Sequence, residues 1–553
     1  MRTALDILGA LALAVAFGAQ MLRWLRVLQR EHYEPQSMRR FLGRWSSPPV
    51  APVTRSTLAA EQAVHGPLSA QTDAANAVTP SRFSGVRRPA DAPPRRPITL
   101  SHVLILALLV TAVLNEEVLL VVVAILYGLF CPQGLSIKGR TSALRWTRRV
   151  TTIAVVATVV ALAFALLGAL SKRPWFLAVA VVWAVPVLLD VTSRLLGPFE
   201  ERRANLFVKQ ATTRLQRVAP TVVAITGSFG KTSTKNHLVD LVRVDGGVVA
   251  SPKSFNNRAG LSRTINESLA DGTRVFIAEM GTYGPGEIRA LCEWCVPDIA
   301  VITAIGPVHL ERMKTIEVIE AAKFEITERA KTVVLNIDDP TLARWPQRLG
   351  SKHVRTASSR AAEASVRVCV DGGLWTLSVD GVELGTLDAV VGVQPTNLAC
   401  ALAVALELGV ARDALIARAR AVTPVDNRSN VVTAPSGVVV IDDTFNANPV
   451  SALSALEMLA SLAISGRRVV VTPGLVELGT EQYGENLALA RKASFVGAEL
   501  VIVARTNAVP LTVGFEGPVR RFNSRDQAVT WVRSSLVAGD GVLYLNDLPD
   551  HYP

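Results

Sequence analysis

The sequence predicts an α-helical transmembrane region followed by an α/β portion, and two observations carry that reading. Half of the 553 residues are hydrophobic, the mean hydropathy is +0.32, and the excess is concentrated ahead of position 200 as long apolar runs. At 221–242 a β-branched apolar run, a glycine-containing turn and a helix-compatible stretch follow one another, the pattern of strand, loop and helix. A chain of this length exceeds one hydrophobic core, so several domains are expected.

In chain order, 4–22 is apolar apart from Asp6 and Gln20, and Arg23, Arg26, Arg30, Arg39, Arg40 and Arg44 follow it. Residues 1–46 therefore read as a retained membrane anchor with a basic segment on its cytoplasmic end. Residues 47–97, rich in Pro, Ala, Ser and Arg without apolar periodicity, cannot bury enough surface to offset their ordering entropy and read as a disordered linker. Residues 98–200 read as transmembrane helices. The runs 103–114 and 118–130, split by Asn115, Glu116 and Glu117, are thin for full spans, whereas 151–170 and 175–189 form a helical hairpin, so three to five spans are expected. Lys138, Arg140, Arg145, Arg148 and Arg149 precede that hairpin. With this basic stretch inside, the amino terminus faces out and everything after Arg202 and Arg203 lies in the cytoplasm, on a multi-pass protein of the inner membrane.

The net charge of +12 comes without an aromatic–basic module, so the lipid bilayer and not nucleic acid is the expected partner of the basic clusters. The cysteines, Cys131, Cys292, Cys295, Cys369 and Cys400, are odd in number and scattered, which excludes a disulfide framework. Cys292 and Cys295 have CxxC spacing, but no second pair exists to complete a zinc site, and helix packing is expected instead.

The turn after the run at 221–225 reads Thr226-Gly227-Ser228-Phe229-Gly230-Lys231-Thr232-Ser233. Gly227 and Gly230 let backbone amides approach phosphate, and the helix N-terminus at Lys231, Thr232 and Ser233 favours negative charge. Lys231 can neutralise terminal phosphates and the Thr232 hydroxyl can reach Mg²⁺. Ile225 occupies the first glycine position of the full phosphate-loop pattern, so the short form is present. Glu279 closes the apolar run 275–278, and His309 follows the run 300–305 in the same way. On bare sequence Glu279 also fits a surface turn, His309 a structural histidine and Lys323 a solvated helix lysine.

From this point the sequence resembles the Mur ligases, the family of peptidoglycan amino-acid ligases, and especially its D-alanyl-D-alanine-adding branch. The match runs in order through TGSFGKTSTKN, FNNRAG at 255–260, AEMGTYGPGEI at 278–288, ITAIGPVHLE at 302–311 and EAAKFEI at 320–326. It continues in GVQPTNLACALA at 392–403, PVDNRSN, which carries Arg428, and IDDTFNANP at 441–449. The resemblance implies a P-loop-type parallel-sheet ATPase domain at 201–425 and a smaller Rossmann-like α/β domain at 426–553 that closes over the nucleotide.

It also implies an ATP- and Mg²⁺-dependent reaction in which a carboxylate becomes an acyl phosphate and then meets an amine. Lys231, Glu279, His309 and Lys323 would be catalytic. Thr232, Glu279, His309 and a carbamylated Lys323 would hold the metal. Asn397 would contact adenine, Arg428 the phosphates or ribose, and Asp443 the nucleotide near the closing interface. Asn256, Asn257, Asn446 and Asn448 would face substrate, although Asx-turns also explain the last two.

The pattern departs from the family at three places. Asn427 replaces the glycine before Arg428, and Leu545-Asn546-Asp547 stands where relatives carry Lys-Gly-Ser. Membrane helices and a linker occupy the place of the uridine-diphosphate-binding domain. A cell-envelope precursor carried on lipid, with an amino acid or amine as second substrate, is the expected reading. A poly-γ-glutamate synthetase-like ligase and a non-catalytic nucleotide-binding scaffold are the alternatives, and any partner subunit is left open.

Overall fold

In a computed structural model of the chain, residues 2–30, 117–132, 144–170, 174–252, 255–371, 373–390, 392–424, 430–444 and 447–546 are described, with 33, 38, 103–108, 110, 135 and 137. The linker expected at 47–97, Arg428 and Asn446 lie outside them. The described chain divides into a helical unit ending at Arg203 and an α/β unit from Ala204 to Asn546, with Ala504–Val509 grouped with the first.

The helical unit contains α1 (Arg2–Arg30), α2 (Glu117–Phe130), α3 (Arg148–Ala169) and the first part of α4 (Pro174–Val218). Three stretches, Ile7–Arg30, Arg148–Ala169 and Ala178–Val218, are long and apolar enough to cross a membrane. The 14 residues of α2 rise only about 21 Å, short of a ~30 Å hydrocarbon core. Trp24, Leu25 and Leu28 of α1 pack with Ile153, Ala157 and Leu189, and Leu13 and Ala16 pack with Leu120, Ala124 and Val179.

Arg23 and Arg26, read from sequence as flanking charges, are instead 5% and 2% exposed. The last carbonyls of a helix lack intrahelical donors. Arg23 donates to Gly128 O at 2.7 Å and Leu135 O at 3.1 Å, and Gln20 Nε2 donates to Cys131 O at 2.7 Å. Arg26 reaches Ile137 O at 2.9 Å. These side chains cap α2 and its exit. The 45-residue α4 runs through Pro186 and Pro198, so the boundary expected between 200 and 201 falls inside a helix.

The first sheet of the α/β unit is built from β1 (Thr221–Thr226), β2 (Val248–Ala250), β3 (Val275–Glu279), β4 (Ile299–Ile302), β5 (Thr332–Asn336), β6 (His353–Ser358), β7 (Val366–Asp371), β8 (Leu374–Val379) and β9 (Val382–Asp388). Its order is β2-β3-β1-β4-β5-β6-β7-β8-β9. Pairing is parallel from β2 to β7 and antiparallel across β7, β8 and β9. Between these strands lie α5 (Lys231–Val242), α6 (Arg258–Ser268), α7 (Glu287–Cys292), α8 (Leu310–Met313) and α9 (Ile316–Phe324), and α10 (Pro395–Glu407) and α11 (Ala414–Arg420) follow.

Helices cover both faces, which is why the central strands are continuous β-branched runs rather than alternating ones. Val223 and Ile225 pack with Leu238 and Leu402 on one face, and Ala224 and Phe276 with Leu261, Ile319 and Trp345 on the other. The chain winds outward from β1 in both directions, through β3 and β2 on one side and β4 to β6 on the other. A ligand crevice is therefore expected at the carboxyl end of β1.

The second sheet is formed by β10 (Asn430–Thr433), β11 (Val439–Asp443), β12 (Arg468–Thr472), β13 (Glu499–Val503), β14 (Val519–Phe522) and β15 (Gly541–Leu545), in the order β10-β11-β15-β12-β13-β14. Only the edge pair β10–β11 is antiparallel. Its helices are α12 (Pro449–Ser461), α13 (Gln482–Phe495), α14 (Ala508–Gly514) and α15 (Arg525–Ser535).

Cys292 and Cys295 are buried, with Cys292 Sγ 3.8 Å from Met280 Sδ. Burial pushes the Cys292 thiol up to about 12, and among the described residues no three His, Cys, Asp or Glu side chains could hold a metal together. The pair packs the core.

Trp345 locks α9 in place. It is fully buried, stands edge-on to Phe324 with ring centroids 5.0 Å apart, and donates Nε1 to Glu320 at 3.0 Å. Trp345→Ala is expected to destabilise the α/β unit by roughly 3–5 kcal/mol through the cavity it leaves, measured by equilibrium denaturation in detergent.

Candidate active site

The turn after β1 is held by its glycines and by the loop that follows β4. At Gly227 (φ +152°) a Cβ would collide with Thr303 Oγ1, and at Gly230 (φ +83°) with Asn397 Oδ1, so only glycine lets the loop pass beneath both side chains. The Ser228 amide donates to Ala304 O at 2.8 Å, and its hydroxyl donates to Gly306 O at 3.0 Å while accepting the Gly306 amide at 2.9 Å. The Thr303 hydroxyl donates to Phe229 O and, at 3.2 Å, to Thr226 O. Gly230 caps α5, whose first amides have no intrahelical partner and so face outward as an anion cradle. Lys231 Nζ arches back over this loop to donate to Gly227 O at 2.6 Å. Ser233 lies in the same first turn of α5.

Glu279 ends β3, the strand beside β1, and the register sets it opposite Ile225. Parallel neighbours bring their carboxyl ends level, which delivers the carboxylate to the phosphate loop. Thr232 Oγ1 donates to Glu279 Oε2 at 2.9 Å, and Asn256 Nδ2 donates to Oε1 at 3.3 Å. Lys235 Nζ lies 3.4 Å from Oε2, both side chains almost fully buried, and also donates to Ser251 O at 2.8 Å. The Ser251 hydroxyl accepts the Glu279 amide at 3.0 Å. The oxygens of Thr232 and Glu279 form a hard donor set that suits Mg²⁺, an ion that takes one or two carboxylates and completes its shell with phosphates and water.

Lys323 comes from α9 and is 3% exposed. Burial first, and the Lys231 charge second, push its ammonium pKa well below the ordinary lysine value. A buried cation without compensation is costly, so the neutral amine is favoured, and that is the form that adds to CO₂. His309 caps α8 in a left-handed conformation (φ +53°). Its ring stands at 61° to Tyr283 with centroids 4.7 Å apart, and its Nδ1 lies 2.7 Å from Glu477 Oε2.

The structure thus joins Thr232 and Glu279 directly, folds Lys231 back onto the phosphate loop beside them and brings Lys323 into the field of Lys231. His309 stands on the same loop after β4 that Ser228 tethers. Asn397 starts α10 and reaches the loop, its Oδ1 3.5 Å from Thr234 Oγ1. Asn257 and Asn448 have a local role already: Asn257 Oδ1 caps α6 by accepting the Gly260 amide at 2.9 Å, and Asn448 caps α12 in a reciprocal box with Ser451. Asp443 is buried at the carboxyl end of β11.

Sequence reasoning missed Lys235, Ser251 and Glu477. The placing of Lys235 on the face of α5 that carries Lys231, four residues earlier, was legible, but its partner was not. Glu477 follows β12 as Glu279 ends β3, a lone carboxylate beyond a buried strand.

Comparison with known proteins agrees with this geometry. Residues 225–382 match the Mur ligase middle domain and 427–545 the Mur ligase glutamate ligase domain. The UDP-N-acetylmuramoyl-tripeptide–D-alanyl-D-alanine ligase of Mycobacterium leprae is 31% identical over 365 residues, 58% of this chain and 70% of that protein. The ligase of the same name from Mycobacterium tuberculosis H37Rv is 34% identical over 299 residues, and this chain spans 58% of its length. The MurF ligase of Thermotoga maritima in complex with ADP has the same fold, with a TM-score of 0.55 at 24% identity over 62% of this chain and 80% of that one. The chain accordingly belongs to the Mur ligases, a family of ATP-dependent, ADP-forming amide ligases.

Proposed function

We propose that the chain is a membrane-anchored ligase that activates a carboxylate of a peptidoglycan-type envelope precursor and joins it to an amine at the cytoplasmic face of the inner membrane. The observation that carries the reading is the bond between Thr232 and Glu279 at the carboxyl end of β1, with Lys231 on the same phosphate loop and the buried Lys323 in its field.

The phosphate loop binds ATP through its amides, and Lys231 offsets charge on the terminal phosphates. Asn397 flanks the nucleotide, and Arg428 and Asp443 belong to the same binding set. Thr232, Glu279, His309 and carbamylated Lys323 would hold two Mg²⁺ ions, the second of them at His309, which would supply charge neutralisation on the transferring phosphoryl group. A substrate carboxylate oxygen attacks the γ-phosphorus, ADP leaves, and an acyl phosphate forms. An amine nitrogen then attacks the acyl carbon, inorganic phosphate departs, and loss of the amine proton completes the amide. The C-terminal domain excludes the water that would otherwise hydrolyse the mixed anhydride.

Three apolar helices support the anchor. A ligase held at the bilayer favours a precursor presented on a lipid carrier over a soluble one. In proteoliposomes, phosphate release is expected to require ATP, a lipid-linked muramoyl peptide and D-alanyl-D-alanine together. Release driven equally well by a soluble uridine-diphosphate precursor would refute the lipid-carried substrate.

A further inference from the structure

The bond between His309 and Glu477 crosses between the sheets: His309 follows β4 of the first, and Glu477 stands in the loop after β12 of the second. An ionised carboxylate can only accept, so at 2.7 Å the Nδ1–H of His309 is the donor, and in the neutral ring that tautomer leaves the Nε2 lone pair for a cation. Metal-binding imidazoles take this arrangement, in which the distal nitrogen is tied to a carboxylate that fixes tautomer and ring orientation.

The surroundings hold the pair firmly. Both residues are left-handed without being glycine, with φ +53° at His309 and +64° at Glu477, conformations that persist where the environment imposes them. Main chain joins main chain as well, the Glu311 amide donating to Glu477 O at 3.4 Å. Tyr283 packs on the imidazole, and the Arg312 guanidinium lies 4.8 Å over the Tyr283 ring.

We propose that Glu477 is the positioning residue of His309, so that the imidazole is set to receive its divalent cation only while the C-terminal domain is docked on the central one. Domain closure and completion of the second cation site become one event, and opening after turnover loosens the ion together with the products. The proposal rests on the ligase reading above, in which His309 is a cation ligand.

The test is Mn²⁺ binding to the full chain in detergent with a non-hydrolysable ATP analogue, followed by electron paramagnetic resonance. Wild type is expected to bind two ions. Glu477→Ala should keep the first and bind the second about 10- to 100-fold more weakly, the usual effect of removing a carboxylate behind a ligating histidine. Glu477→Gln, whose amide oxygen can still accept Nδ1–H, should recover most of that affinity and guards against a variant that fails to fold. His309→Ala should lose the second ion, and the double variant should bind no worse than His309→Ala alone. Two ions in wild type with the second unchanged in Glu477→Ala overturns the proposal alone. One ion in wild type overturns it together with the role of His309 in the ligase reading.

Discussion

Glu279→Gln is expected to lower kcat by about 10²- to 10³-fold, the loss typical of one group that stabilises charge in a transition state, and to destabilise the fold as well. The second effect comes from Lys235, whose ammonium lies 3.4 Å from Glu279 Oε2 with both side chains almost fully buried. Removing one partner of such a buried pair costs roughly 3–5 kcal/mol. The bond to Ser251 O moderates the loss without supplying a countercharge. A double variant, Glu279→Gln with Lys235→Met, removes both charges. It should recover most of the thermal stability and none of the turnover. Denaturation midpoints and single-turnover phosphate release separate the outcomes, and a double variant as unstable as the single one would show that the ion pair is not the source of the loss.

Lys323→Ala should abolish turnover while leaving the fold intact, since the side chain brings a desolvated amine and no stabilising charge. Burial and the neighbouring Lys231 lower its pKa, so the amine releases its proton, and opens to CO₂, at a lower pH than a free lysine. The alanine variant vacates room beside Lys231, and bicarbonate or a short-chain carboxylic acid should partly restore activity by returning an anion there. Full activity without any added acid would dispose of the role. Depleting wild type of CO₂ should lower its activity more steeply at acid pH, where the ammonium form regains weight.

The first sheet and its phosphate loop were legible because each signal is local. The run at 221–225 and the glycines at 227 and 230 fix strand, turn and helix start within about ten residues, and Glu279 follows from the same strand logic two crossovers later. Lys235 and Ser251 were hidden for a different reason. Their roles exist only once β3 lies beside β1 and puts Glu279 between them. Asn257 and Asn448 show the opposite case, where a polar residue in a functional motif also does the local work of capping a helix. In the helical unit, counting arginines could not separate Arg23 and Arg26 from the flanking ones, because burial depends on where α2 ends.

That last contact makes the opening helix more than a tether. With Gln20 and Arg23 taken away, the backbone oxygens at the end of the short second helix would lose the buried donors that reach them, and a carbonyl short of a donor in an apolar surrounding is expensive. This segment is a wall of the assembly it belongs to, and trimming it for convenience would unseat its neighbour.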